Sequence, residues 1–150
     1  LEAKFKLTEL LPTAPDIDVR SNYSHFWSRV DGIPGPDNRL DQQAKQTANV
    51  GLDYRSKAIP LTLGGSLNWT PLVRVRTSTE QVVEVGRKRA LDVYALWKFN
   101  PRTQLRISAA NALADDAPGS NLVYANGLAS RADSVNPTFV VWSARLETKF

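Results

Sequence analysis

Cysteine is missing from all 150 residues. That excludes disulfides, thiolate catalysis and cysteine-based metal sites. The absence fits an oxidising envelope compartment, though it is a weak signal taken alone. Histidine occurs once, at His25. A catalytic histidine needs a nucleophile or an orienting carboxylate within reach. The acid on its own stretch, Asp18, has the opposite parity and lies far down the strand, so the chain does not read as an enzyme. Without clustered His and Cys ligands neither a metal site nor a cofactor is expected, and Asp115-Asp116 reads as a solvated acidic turn rather than a calcium loop. The sequence also lacks a run of ~18 apolar residues, which excludes a transmembrane helix. It does not exclude a transmembrane β-barrel, where only every second residue faces lipid. No segment with helical period is long enough to stand out. Basic residues form no tract: the net charge of +4 is spread over strands and loops, so no nucleic-acid partner is expected. Leu1 opens straight into a strand-like pattern without a signal peptide or start methionine, and the chain reads as a piece of something longer.

What the sequence has is alternation. From Thr138 to Phe150, Val140, Trp142, Ala144, Leu146, Thr148 and Phe150 fall on one face, with Ser143, Arg145, Glu147 and Lys149 on the other. Successive side chains of a strand point to opposite faces, so this is a strand with one apolar and one charged side. Trp142 and Phe150 are separated by roughly 26 Å along such a strand at ~3.3 Å per residue. A tilt of ~45° turns that into about 19 Å of height, close to the apolar band between the aromatic girdles of an outer-membrane barrel.

The same pattern recurs upstream. Strands are expected over Leu1–Leu11, Ile17–Val30, Gln46–Arg55, Leu61–Arg76, Gln81–Phe99 and Gln104–Leu113, with Thr138–Phe150 as the seventh. Pro12–Asp16, Ser56–Pro60 and Asn100–Thr103 read as short turns. Asp31–Lys45 and Ala114–Pro137 read as long loops rich in Gly, Pro, Ser and Asn. Arg87 and Arg89 interrupt the apolar face of the fifth strand. Short and long connections alternate, as in barrels with short periplasmic turns and longer extracellular loops. The outward aromatics sort into two levels: Tyr54, Trp97, Phe99 and Phe150 beside short turns, and Tyr23, Trp27, Trp69 and Trp142 toward the long loops. Amphipathic rings at two interfaces would sort so. The expected fold class is all-β: an antiparallel up-and-down meander of about seven strands. Seven strands cannot close a bacterial single-chain barrel, and open edges in lipid cost several kcal/mol per unpaired group. The meander is therefore expected to be part of a larger barrel.

Three stretches carry a family resemblance. Leu91–Asp116 (LDVYALWKFNPRTQLRISAANALADD) has a strand ending in an aromatic, a tight Asn-Pro turn, a Leu-Arg-Ile-Ser strand, then Asn111, Leu113 and the acidic pair Asp115-Asp116. Ser28–Gln43 (SRVDGIPGPDNRLDQQ) and the terminal Lys149-Phe150 are the other two. Together they resemble the C-terminal part of TonB-dependent outer-membrane receptors; Asn111-Ala112-Leu113 stands where the family usually has Asn-Leu-Leu. The resemblance implies a bacterial outer-membrane location, with residues 1–150 supplying the last seven or so strands of a 22-stranded barrel. It implies a role in energised uptake of a ligand such as a ferric siderophore. The plug domain and the TonB-contacting segment would lie outside this stretch. It further implies that the barrel-assembly machinery reads Trp142, Leu146 and Phe150 as an assembly signal, and that lipid and lipopolysaccharide surround the wall. Arg20, Asp53, Arg55, Asp92, Lys98, Arg106, Arg145, Glu147 and Lys149 would face the lumen and the plug. On the tall hairpin and the long loops Arg39, Arg74 and Arg76 are the candidates to meet an anionic ligand. A passive porin-like channel, or a soluble β-barrel holding a small apolar ligand, would also account for the alternation.

Overall fold

In the computed structural model of the chain, residues 1–149 are described. The fold is all-β and antiparallel, and it forms two open sheets. The larger runs β1(Glu2–Lys6), β2(Ile17–His25), β3(Gln46–Arg55), β4(Leu61–Thr70), β7(Lys88–Lys98), β8(Thr103–Ala110) and β11(Val141–Thr148), in that spatial order. The smaller has the order β10(Leu128–Asn136), β9(Ala117–Ala125), β6(Gln81–Val85), β5(Val73–Arg76). A single helical turn, Leu7–Leu10, sits between β1 and β2.

The seven expected strands are the seven of the larger sheet; Gln46–Arg55 keeps its expected bounds and the other six are trimmed or interrupted. Their ladder aligns the apolar faces without a slip. One row reads Phe5–Val19–Leu52–Gly65–Val93–Ala109–Trp142 across all seven strands. The next reads Ile17–Tyr54–Leu63–Ala95–Ile107–Ala144. A slip of one residue in any pair would put that strand's apolar set on the opposite face, so six consistent pairings are a strong constraint. The short connections lie at one end of this sheet and the long ones at the other, as expected from the alternation.

Three expectations need correction. Leu61–Arg76 is not one tall strand. Pro71 has no N–H to continue the ladder, and the chain re-enters a different sheet at Val73. Gln81–Phe99 likewise breaks at Gly86, whose N–H donates to the Pro118 carbonyl at 2.7 Å. A Cβ at Gly86 would collide with the Pro118 ring and carbonyl, so only glycine permits this approach. And Ala114–Pro137 is not a loop: it holds the β9–β10 hairpin, closed by Asn126-Gly127 with φ of 52° and 76°. Positive φ at both turn residues is the signature of a two-residue hairpin turn. Trp142 is the second residue of β11, at the end of the sheet that carries the long connections. It shares a ladder row with Gly65 and Val93, not with Trp69.

The core is small and misplaced for a globular protein. The buried apolar residues are Val73, Val75, Val82 and Ala109, with Ser120 the buried polar one. All but Ala109 lie in the four-stranded sheet. The larger sheet is a single layer with both faces open: Leu52, Leu63, Ile107, Trp142 and Leu146 all count as exposed. The accessible surface is 10534 Å², against about 7,600 Å² for a compact monomer of this mass. The excess is what an uncovered sheet leaves in contact with its surroundings.

Candidate functional site

The polar face of the seven-stranded sheet is built around a glycine. Gly64 pairs with Asp53 on one side and Tyr94 on the other. Because Gly64 has no side chain, the Tyr94 ring lies across it and donates its hydroxyl to Asp53 Oδ1 at 2.5 Å. A Cβ at Gly64 would meet both the ring and the carboxylate. Arg20 closes the far side of Asp53 with an ion pair. Arg106 stacks its guanidinium 4.0 Å over the Tyr94 ring. A line of polar contact therefore runs from β2 to β8 across five strands, at the floor of a hollow of about 640 Å³. Flanking it are Arg55–Asp18 at 2.6 Å, Gln104–Glu147 at 2.6 Å and Ser108–Ser143 at 2.8 Å. Of the lumen-facing residues read from the sequence, Arg20, Asp53 and Arg106 are brought together here. Tyr94 was missed. Its signal was available: it is the aromatic on the charged parity of its strand, opposite a glycine.

The loop candidates Arg39, Arg74 and Arg76 also converge, around Asp37. The Asp37 carbonyl accepts the backbone N–H of Arg39 at 2.9 Å and of Arg76 at 2.8 Å, which docks the long loop on the free edge of β5. The Asp37 carboxylate faces Arg74 at 3.7 Å and Lys45 at 3.9 Å. Arg74 continues to Glu84 at 3.5 Å, and Glu84 accepts from Ser120 at 2.9 Å and lies 3.8 Å from Arg131. Arg74 is thus engaged by two carboxylates within the fold. Arg39 uses one Nη to donate to the Phe26 carbonyl at 2.7 Å. The Nε atoms of Arg39 and Arg76 are buried without a partner among the described residues, a state that costs free energy until an acceptor arrives.

Between β8 of the seven-stranded sheet and β9 of the four-stranded one, the Asn111–Asp116 stretch is a polar knot. The Asn111 N–H donates to Asp92 and the Asn111 side chain to the Phe139 carbonyl. Asp115 takes two hydrogen bonds from Arg89, at 2.9 and 3.1 Å, and Asp116 takes the Thr138 N–H at 3.0 Å. The acidic pair is therefore not a free solvated turn: it ties β7 to the two connections beside it. It also explains the break in apolar patterning at Arg89, whose charge is met from above.

Hydrogen bonds from Arg89 hold the Asp115 carboxyl below the usual carboxylate range. A carboxyl depressed in the folded state stabilises it above the unfolded value of ~3.9, and that contribution is lost as pH falls through the lower folded value. Asp115→Asn should accordingly speed amide exchange over residues 111–118 at pH 7. The gap between variant and parent should close at pH values below ~4. Exchange mass spectrometry, corrected for intrinsic rates, reads this; an equal gap at both pH values would contradict it.

Of the proposed assembly residues, Trp142 and Leu146 lie on the apolar face of β11, 71% and 65% exposed. Phe150 lies outside the described residues. His25 packs its ring 4.2 Å from Trp27 and sits 3.5 Å from the Tyr23 hydroxyl. No group of three or more His, Cys, Asp or Glu among the described residues is arranged to hold a metal ion. Compared with protein-family models, with curated proteins and with solved structures, the chain matches none.

Proposed function

We propose that this chain is a length of wall from an outer-membrane β-barrel, the C-terminal part of a TonB-dependent receptor that takes up a ligand such as a ferric siderophore. The observation that carries the reading is the seven-strand register. It presents one largely apolar face, interrupted at Ser21 and, toward the long connections, at Arg89, with no second layer to cover it among the described residues. In water such a face loses ~25 cal/mol for each Å² of apolar surface left uncovered; in a bilayer it is at home. The free edges of β1 and β11 fit the same reading, because further strands of a 22-stranded barrel would pair them. The polar face would then line the lumen and hold the plug by hydrogen bonds and ion pairs. The four-stranded sheet would rise from the long-loop end, with Arg39 and Arg76 supplying donors to an anionic ligand. Energy would come through TonB, which meets parts of the receptor outside this stretch.

The test is the native species in the source cell's membranes. Antibody to the β9–β10 hairpin should detect an outer-membrane band several times larger than the 16.6 kDa of this chain, shifting on boiling. A 16.6 kDa band in the soluble fraction would mean that the apolar face covers a core or a small apolar ligand. In the same assay Phe150→Ala should lower the yield of the unboiled, compact form. An unchanged yield would remove the terminal aromatic as an assembly signal.

A further inference from the structure

The four-stranded sheet closes one of its edges and leaves the other open. At β5 the long loop caps the ladder through the Asp37 carbonyl. At β10 no strand pairs on the outer side among the described residues, and all nine residues from Leu128 to Asn136 are exposed. The direction of its backbone groups follows from β9. The Tyr124 N–H donates to the Glu80 carbonyl and the Pro118 carbonyl accepts the Gly86 N–H, so the even-numbered residues of β9 bond toward β6. The odd-numbered ones bond toward β10, where they meet Leu128, Ser130, Ala132, Ser134 and Asn136. Ala129, Arg131, Asp133 and Val135 therefore aim their N–H and C=O groups out of the sheet. Such an edge is a template for another strand, and folds commonly block it with lysine, proline or a bulge. β10 has none of these. Its charges are one arginine and one aspartate, set symmetrically about Ala132.

We propose that β10 pairs with β10 of a second copy of this chain, antiparallel about a two-fold axis at Ala132. In that register Arg131 stands opposite the partner's Asp133, Ser130 opposite the partner's Ser134, and Ala129 opposite the partner's Val135. Each pair of outward-aimed residues then exchanges backbone hydrogen bonds. The two arginines and two aspartates form a square of alternating charge on one face, and opposite charges across a strand pair are stabilising. In the single chain Arg131 already donates to Asp133 at 2.7 Å, and the two side chains are 56% and 65% exposed, so both are within a partner's reach. Adjacent registers fail. A slip of one residue sets outward-aimed groups against inward-aimed ones. A slip of two sets Arg131 opposite the partner's Arg131, or Asp133 opposite the partner's Asp133, which is destabilising. A strand whose charges favour the self-complementary register and reject its neighbours specifies its own copy as the occupant. The pairing uses the four-stranded sheet alone. On the barrel-wall reading β10 leads down into β11, so copies that run in opposite directions meet from apposed membranes and not side by side in one.

The experiment uses the intact protein purified in detergent. Residues 1–150 contain no cysteine, and the unsubstituted parent serves as the blank. Ala132→Cys places two thiols on the axis, in a non-hydrogen-bonded pair with Cα atoms ~4.5 Å apart, within the roughly 4.4–6.8 Å that a disulfide spans. Ser134→Cys is the register control, because its mate lies about 13 Å farther along the strand at ~3.3 Å per residue. Both positions are exposed. Mild oxidation should give a product of twice the protein's mass, several-fold more of it from Ala132→Cys than from Ser134→Cys. Equal yields, or no dimer from Ala132→Cys, overturn the proposal. An adduct of any other mass would mean that a different protein holds the edge, and overturns it too. The unsubstituted protein supplies a second measurement that no misfolded variant can spoil: it should sediment as a dimer. Arg131→Asp should lower the dimer fraction several-fold, and adding Asp133→Arg should restore it. A monomeric parent, or a dimer indifferent to charge reversal, overturns the pairing. Ala132→Cys protein is then reconstituted into two separately labelled vesicle populations. Disulfides joining the two populations are expected; disulfides confined to single vesicles keep the β10 pairing and remove the barrel-wall reading instead.

Discussion

Val93→Arg should abolish most of the assembled protein. Val93 lies in the middle row of the apolar face, between Gly65 and Ala109, with four further residues of that row on β1, β2, β3 and β11. In a membrane wall that row is near the bilayer midplane, where an arginine on the lipid face costs ~2–4 kcal/mol. At about 1.4 kcal/mol per tenfold, that shifts the folding equilibrium by roughly 30- to 1,000-fold. The matching control is Asn49→Arg. Asn49 pairs with Asn22 and Asn68 on the polar face, where an added cation meets water and polar side chains. The yield of compact, heat-modifiable protein should fall steeply for Val93→Arg and stay near the parent level for Asn49→Arg. Equal loss in both variants would mean that both faces are buried, as in a sandwich, and would end the single-layer reading. Equal tolerance would mean that neither face meets lipid.

The contrast between those two positions is also what could be read from the sequence. Period-two alternation over Gln46–Arg55 gives strand, face and length together, because β-branched and aromatic residues repeat at the spacing of the pleat. The strand spans Gln46–Arg55 without correction. Alternation alone does not say where a strand leaves one sheet for another. Val73 and Val75 keep the parity of Trp69, yet Pro71 has already ended the ladder, and the two valines are buried in the four-stranded sheet. The proline was visible, and parity masked it. The β9–β10 hairpin was hidden differently. Its strands are rich in Ala, Ser, Asn and Gly, which have low strand propensity, so composition suggested a loop. Asn126-Gly127 was the stronger signal, because a two-residue turn with both φ positive has few other uses.

The site was less legible than the fold, for a physical reason. Arg39, Arg74 and Arg76 were readable as loop cations. Their common neighbour Asp37 was not, because it reaches Arg76 across a chain separation that only the docked loop closes. The polar array needs even more: Arg20, Asp53, Tyr94 and Arg106 come from four strands, and their meeting depends on four successive registers. Side-chain chemistry names candidates, and strand pairing chooses among them.

Gly64→Ala puts that dependence to the test with a single methyl group. The Gly64 backbone lies in the extended strand, where alanine fits without backbone strain; the conflict is with the Tyr94 ring and the Asp53 carboxylate above it. The ring must lift, and the Tyr94–Asp53 hydrogen bond is lost with it. Overpacking of this kind costs ~1–3 kcal/mol, and a hydrogen bond to a charged acceptor contributes about 1.5–3 kcal/mol. The two overlap, so a destabilisation of roughly 2–4 kcal/mol is expected in urea unfolding of the intact protein in detergent. The decisive comparison is a cycle with Tyr94→Leu, which removes both the hydroxyl and the reach across the glycine. If the array works as the geometry indicates, Gly64→Ala should cost less in the Tyr94→Leu background than in the parent, because the ring clash and the hydrogen bond are already gone and only the contact with the Asp53 carboxylate remains. Additive costs would show that Gly64 and Tyr94 act separately. The stacked Arg106 would then owe its position to its own strand and not to the ring, and the line of contact from β2 to β8 would dissolve into independent pairs.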